Sequence, residues 1–301
     1  MGSFVILFSI AVSVIVAVSS NAIDSTRIVG GFVSSEGGFK YMVSLQELSK
    51  IQNYRRGHRC GGALISYQHA LTAASCTFNE NNGAFTPINV TEFRVFAGSV
   101  MLTNDASEDH VRSIANITVH PSYLTSRPFT DDIAVITLTI PFPNNVVKPV
   151  PLSEREVSPQ EYGVCTLSGW GSRNSSATES AGLIYSIHTI FDWLACAIAY
   201  GALAPPQQVV IFPGVICAYA DKTVAVGCTG DIGNPLVCHD SLTGIAVKTQ
   251  DCSVRAFPEV YTKVSTYIPW INRVMNGAPS IMQPGIALLT TFVVIASKII
   301  T

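Results

Sequence analysis

The chain has 301 residues, which fits one large all-β domain or two average ones. Its 18 basic and 20 acidic side chains leave a formal net charge of −2. There is no basic face of the kind nucleic acid requires and no acidic solvating tract. Apolar residues make up 48% of the chain, a share raised by its two ends.

In chain order, residues 4–18 (F-V-I-L-F-S-I-A-V-S-V-I-V-A-V) form an apolar run that gives way to Ser19, Ser20, Asn21 and Ala22. This is the pattern of a signal peptide over residues 1–22, removed near Ala22, although no Lys or Arg precedes it. An uncleaved N-terminal anchor is the rival reading. The eight cysteines are even in number and all lie between the apolar ends. No Cys-x-x-Cys and no His/Cys cluster has zinc-site spacing, so neither a metal nor another cofactor is expected. Four disulfides in an oxidising compartment account for the count, and spacing leaves their connectivity open. Asn89-Val-Thr, Asn116-Ile-Thr and Asn174-Ser-Ser are N-glycosylation acceptors, consistent with a secreted, extracellular chain.

The motifs follow one another at domain spacing. Arg27-Ile28-Val29-Gly30-Gly31 comes first, then Cys60-Gly61-Gly62-Ala63-Leu64-Ile65-Ser66 and Ala70-Leu71-Thr72-Ala73-Ala74-Ser75-Cys76. Thr130-Asp131-Asp132-Ile133-Ala134-Val135-Ile136 and Gly169-Trp170-Gly171 lie further on. After these come G-C-T-G-D-I-G-N-P-L-V-C at residues 227–238 and T-G-I-A-V-K-T-Q-D-C at residues 243–252. Phe257-Pro258-Glu259-Val260-Tyr261-Thr262-Lys263-Val264 and Tyr267-Ile268-Pro269-Trp270-Ile271 close the series. Between residues 150 and 270, short Val/Ile/Thr/Leu runs broken by Gly, Pro, Ser and Asn give an all-β signature. Residues 191–200 read as a short helix.

These motifs, in this order, resemble those of the trypsin/chymotrypsin-like serine proteases over about residues 28–276. The resemblance implies an all-β fold of two packed six-stranded antiparallel β-barrels with a C-terminal helix from near Tyr267. It implies a short propeptide at residues 23–27, cut after Arg27 by a trypsin-like protease. The freed amine of Ile28 would then pair with Asp231, a buried ion pair suited to a two-state switch. Cys60–Cys76, Cys165–Cys238, Cys196–Cys217 and Cys228–Cys252 are the disulfides it implies.

Two of the three positions matching the family's catalytic triad have lost their chemistry. Ser75 stands where the general-base histidine belongs, and a hydroxyl cannot take a proton at neutral pH. Ile232 stands in the nucleophile's slot, and a hydrocarbon cannot attack a carbonyl. Asp132 matches the third member and has no imidazole to orient; it is expected to accept a hydrogen bond from Ser75. Gly230 and Ile232 match the oxyanion-hole donors. His69 occupies a position usually held by a packed aromatic and reads as a structural histidine. The pocket is altered too. Val226 matches its floor, so no carboxylate awaits a basic side chain, and Val247, Lys248 and Thr249 replace the Ser-Trp-Gly of its wall. A side chain at Thr249 obstructs an extended peptide where glycine lets its backbone approach. Asn234 replaces the second glycine of the nucleophile loop.

The tail, residues 277–301, contains an apolar run at residues 285–300 interrupted by Lys298. It reads as a GPI-attachment signal with a short spacer, as a short membrane span, or as neither. Any membrane association runs through it. The function expected is that of a non-catalytic serine protease homologue: a secreted binding, regulatory or decoy module with a protein partner (a protease, an inhibitor or a macromolecular substrate). The alternatives are an active serine-type endopeptidase using displaced groups such as Thr229, Ser75 or His239, and a surface glycoprotein using the fold as a scaffold.

Overall fold

The computed structural model describes residues 32–53, 55–127, 129–155, 158–159, 164–171, 182–203, 210–220, 232–248 and 258–277, with only the backbone for Lys248. In chain order the elements begin with β1 (Phe32–Val33), β2 (Met42–Glu47), β3 (His58–Leu64), β4 (His69–Thr72), β5 (Phe78–Asn81) and β6 (Ala84–Pro87). They continue with β7 (Phe93–Ala97), β8 (Val111–Val119), β9 (Ala134–Leu138), β10 (Cys165–Gly169), β11 (Ile184–Phe191) and α1 (Trp193–Gly201). They end with β12 (Val215–Ala220), β13 (Pro235–Cys238), β14 (Ser241–Lys248), β15 (Glu259–Lys263) and α2 (Val264–Met275).

Two antiparallel barrels result. The first closes in the order β2-β3-β4-β9-β8-β7. The second runs β11-β10-β13-β14-β15-β12 and closes through the β11–β12 pairing. It carries β1 as an added strand on β11, with Phe32 opposite Tyr185. Alternation along the strands builds each interior. In β11 the residues Ile184, Ser186, His188 and Ile190 turn inward and their neighbours outward. The hairpin of β5 and β6 turns on Asn82 and Gly83, both left-handed at φ 52 and 80, the geometry that matches strand twist in a two-residue loop.

The helices fall close to their expected places. The first begins at Trp193, where the Asp192 side chain caps the Ala195 N–H at 2.8 Å. The last begins at Val264, three residues before Tyr267, because Val264 is already part of its buried face with Tyr267, Trp270 and Ile271. That face reaches across to the first barrel: the Tyr267 and Trp270 rings each meet the His120 ring edge-on at 5.0 Å. Three of the expected disulfides are formed: Cys60–Cys76, Cys165–Cys238 and Cys196–Cys217. Cys228 and Cys252 lie outside the described residues.

The barrels are joined by polar bonds as well as packing. Trp170, at the end of β10, is fully buried among Met42, Phe96 and Leu102 of the first half. Its indole N–H donates to the Val100 carbonyl at 2.8 Å. The Gly61 N–H of β3 donates to the Ile232 carbonyl at 3.0 Å. The Thr262 hydroxyl of β15 donates to the Asp132 carbonyl at 2.8 Å. These last two bonds fix where the candidate site lies.

Candidate functional site at the barrel junction

Ser75 lies in a short 3-10 turn, residues 74–77, directly after β4 and before the disulfide partner Cys76. Asp132 lies in the loop leading into β9, where Phe129 and Asp131 both adopt left-handed backbone, at φ 69 and 52. Such conformations cost of order 1 kcal/mol each for residues with a Cβ and persist only when their surroundings hold them. Here the surroundings are Tyr267, whose hydroxyl donates to Asp131 Oδ1 at 3.0 Å, and the Thr262 bond to the Asp132 carbonyl.

The Asp132 carboxylate is 4% exposed and accepts the Ser75 backbone N–H at 2.7 Å. The expected Ser75–Asp132 bond is therefore made by the main chain. The Ser75 hydroxyl is buried close by and makes no bond of good geometry, though it helps to hold the carboxylate's charge. Burial dominates and pushes Asp132 up to about 6, against the Ser75 and Ala74 N–H groups and the Ser75 hydroxyl.

Ile232 comes from the second barrel. It is half-buried, packs against the hydrophobic core and, by its carbonyl, pairs with Gly61. Gly233 follows at φ +84, its N–H donating to the Ala246 carbonyl at 2.7 Å. A Cβ on Gly233 would overlap the Gly61 carbonyl and the Thr72 hydroxyl, so the turn requires glycine. Asn234 is fully buried, and a Cβ on Gly61 would overlap its amide oxygen. The structure thus brings Ser75 and Asp132 together and ties Ile232 to the strand leading towards them.

Other candidate residues take different places. Val247 is buried in β14, while Lys248 pairs with Val260 at a bulge. His69 is half-buried in β4, its Nδ1 2.8 Å from the Ser66 hydroxyl and its basicity lowered by desolvation. His239 is exposed at the β13–β14 hairpin tip. Asn89 and Asn116 are exposed. Arg27, Ile28, Asn174, Val226, Thr229, Gly230, Asp231 and Thr249 lie outside the described residues. A cavity of about 840 Å³, lined in part by Lys40, Tyr41, Lys148 and His239, includes none of the three triad-matching positions. Among the described residues no cluster of His, Cys, Asp and Glu could hold a metal ion. No described helix is long and apolar enough to cross a membrane.

A second polar cluster escaped the sequence reading. Inside the second barrel, the Ser186 hydroxyl lies 2.9 Å from His188 Nε2, and Glu259 Oε2 lies 3.5 Å from His188 Nδ1. Between them the Tyr261 hydroxyl donates to Glu259 and sits 3.3 Å from His188 Nδ1. The order serine, imidazole, carboxylate mimics a triad. All three are buried, however, which excludes substrate, and desolvation lowers His188 to about 3, too weak for a general base at neutral pH. Inward-facing Ser186 and His188, alternating with Tyr185, Ile187 and Thr189 in β11, were the available signal.

A family model described as Trypsin matches residues 28–271. Serine protease SP24D of Anopheles gambiae is 30% identical over 254 residues, covering 84% of this chain and 83% of its own length. The venom peptide isomerase heavy chain of Agelenopsis aperta is 30% identical over 261 residues, 82% of this chain and all of its own. Neuropsin, a serine protease expressed in the limbic system of mouse brain, superimposes with a TM-score of 0.65 at 28% identity. That match spans 81% of this chain and 98% of the neuropsin chain.

Proposed function

From the premise that this chain belongs to the trypsin family of serine proteases, we propose that it is a non-catalytic member acting through binding. One observation carries the reading: the residue held against the buried Asp132 carboxylate is Ser75, whose buried hydroxyl cannot take a proton where the family's chemistry needs an imidazole. Position 232 then offers only hydrocarbon. In serine proteases, losing either nucleophile or base costs about as much as losing the whole triad, around a million-fold, or roughly 8 kcal/mol of transition-state stabilisation. Oxyanion donors at Gly230 and Ile232 alone leave a residue of about a thousand-fold over water. An isomerase activity would also need a base for any proton it removed, and Ser75 is none.

Among the described residues, the displaced groups offer no base for a substitute nucleophile. His239 sits on an exposed hairpin tip, and the Ser186–His188–Glu259 cluster is closed to substrate. The protein is read as secreted and glycosylated at Asn89, Asn116 and Asn174, with its protein partner engaged after cleavage at Arg27. Retention of Arg27, Ile28 and Asp231 supports that switch. The test uses the purified glycosylated chain before and after cutting at Arg27. It is incubated with a fluorophosphonate serine probe and a mixed peptide library, with trypsin as control. Neither form is expected to label or turn over. Labelling that survives repurification overturns the proposal.

A further inference from the structure

We propose that the face built by α1 and residues 210–212 docks on the surface of a lipid bilayer, with Trp193, Leu194, Ile198, Val210 and Phe212 as its immersed side chains. From Trp193 to Ala220 the chain carries no charged side chain, the longest such stretch within residues 32–277. A surface helix ordinarily turns charged or polar residues to water. The outward side of α1 instead presents Leu194 at 59% exposure and Ile198 at 63%, one helical turn apart. Trp193 at 38%, Val210 at 65% and Phe212 at 41% extend the same apolar area. Trp193 and Phe212 are adjacent in space, because the indole N–H donates to the Phe212 carbonyl at 3.0 Å.

The helix cannot roll to hide this face. Its inner side is pinned by the Cys196–Cys217 disulfide and by the Tyr200 hydroxyl, which donates to the Pro258 carbonyl at 2.6 Å. Several donors at this face are already satisfied when it leaves water. Asp192 caps the Ala195 N–H, the Trp193 indole is satisfied, and Ala202 N–H donates to the Ile198 carbonyl at 2.9 Å. An area of Trp, Leu, Ile and Phe without a charge suits the headgroup–acyl boundary.

What selects lipid over a protein is the rest of the chain. The apolar run of residues 285–300 is joined to the end of α2 by residues 276–284, a connection of at most about 32 Å when extended. A bilayer that holds the tail, or a lipid anchor replacing it, is then present at high effective concentration beside the domain. The proposal rests on that membrane reading of the tail.

Trp193 supplies the test, since the other two tryptophans, Trp170 and Trp270, are 0% and 7% exposed. The full chain is reconstituted with phosphatidylcholine vesicles containing a lipid spin-labelled near its headgroup, and tryptophan emission is followed. The chain is expected to float with the vesicles and lose Trp193 emission to the spin label, a loss absent in Trp193→Phe. Acrylamide quenching of Trp193 should fall several-fold on vesicle binding. Leu194→Lys with Ile198→Lys, both at exposed positions, should still float but regain quenching by acrylamide. Flotation with Trp193 as open to acrylamide as in free protein overturns the docking face and leaves the tail reading standing. Failure to float overturns both. Shielding of Trp193 without vesicles overturns lipid in favour of protein: a second copy if it depends on concentration, the chain's own tail if not.

Discussion

Asp132 accepts the Ser75 backbone N–H at 2.7 Å and has Ala74 N–H and the Ser75 hydroxyl beside it, but enclosure outweighs them in setting its acidity. Its folded value of about 6 lies above the ordinary 3.8. Between those values the folded state keeps a proton that the unfolded state has released. Stability contributed by this group is therefore present at low pH and lost as pH rises towards 6. At neutral pH the buried charge costs on the order of 2–3 kcal/mol. Asp132→Asn keeps an acceptor for Ser75 and removes the charge. It is expected to raise the thermal midpoint by several degrees at pH 7 and to leave it unchanged at pH 4, read by calorimetry. An equal change at both pH values, or a drop at pH 7, would show that the charge is not what costs stability there. At this scale Ser75, Asp132 and Ile232 were legible because each sits inside a contiguous motif. The bond from the Ser75 main chain was not, since residue type says nothing about which atom faces the carboxylate. The Ser186–His188–Tyr261–Glu259 cluster was harder still, because its members meet only when β11 and β15 enter the same barrel.

Among the elements, α1 carries a disproportionate burden. Its inward side offers Cys196 and Tyr200, and its outward side is apolar, so propensity and capping by Asp192 must be supplemented by covalent attachment to β12. The Cys196–Cys217 bridge spans a sequence separation of 21, a loop whose closure is worth about 3 kcal/mol in the unfolded chain. Replacing both cysteines by alanine should lower unfolding stability by about that amount, measured by urea titration. A change under about 1 kcal/mol would mean that packing alone holds the helix. The helices were readable to within a few residues. The addition of β1 to β11 was not, since a two-residue strand has no periodicity to detect.

At the scale of the whole molecule, the two barrels meet where residues 232–234 pass between β3 and β14. Gly233 N–H reaches Ala246 on one side while Ile232 carbonyl takes Gly61 on the other. The absence of a Cβ at Gly233 lets the Gly61 carbonyl and the Thr72 hydroxyl close in. Gly233→Ala should therefore separate the barrels locally and cost roughly 3 kcal/mol or more, from strain at φ +84 plus overlap with backbone. A denaturant midpoint unchanged by this substitution would contradict the junction described. The double barrel was legible only through the family resemblance that the ordered motifs carry; the residue patterns alone gave an all-β chain. The closure of each ring and the cross-barrel bonds required coordinates, because they join residues such as Thr262 and Asp132 with no local signature.

The bond between Gly61 and residue 232 uses only main-chain atoms, so the backbone there is held without help from the side chain. Heredity can then treat the two separately. A lineage may exchange the contents of position 232, or of position 75, while the address stays intact, and each exchange is a single step that leaves the barrels where they were. A change of side chain at either position therefore leaves the frame of the site standing. Under the non-catalytic reading proposed above, that same frame is what a binding role would inherit.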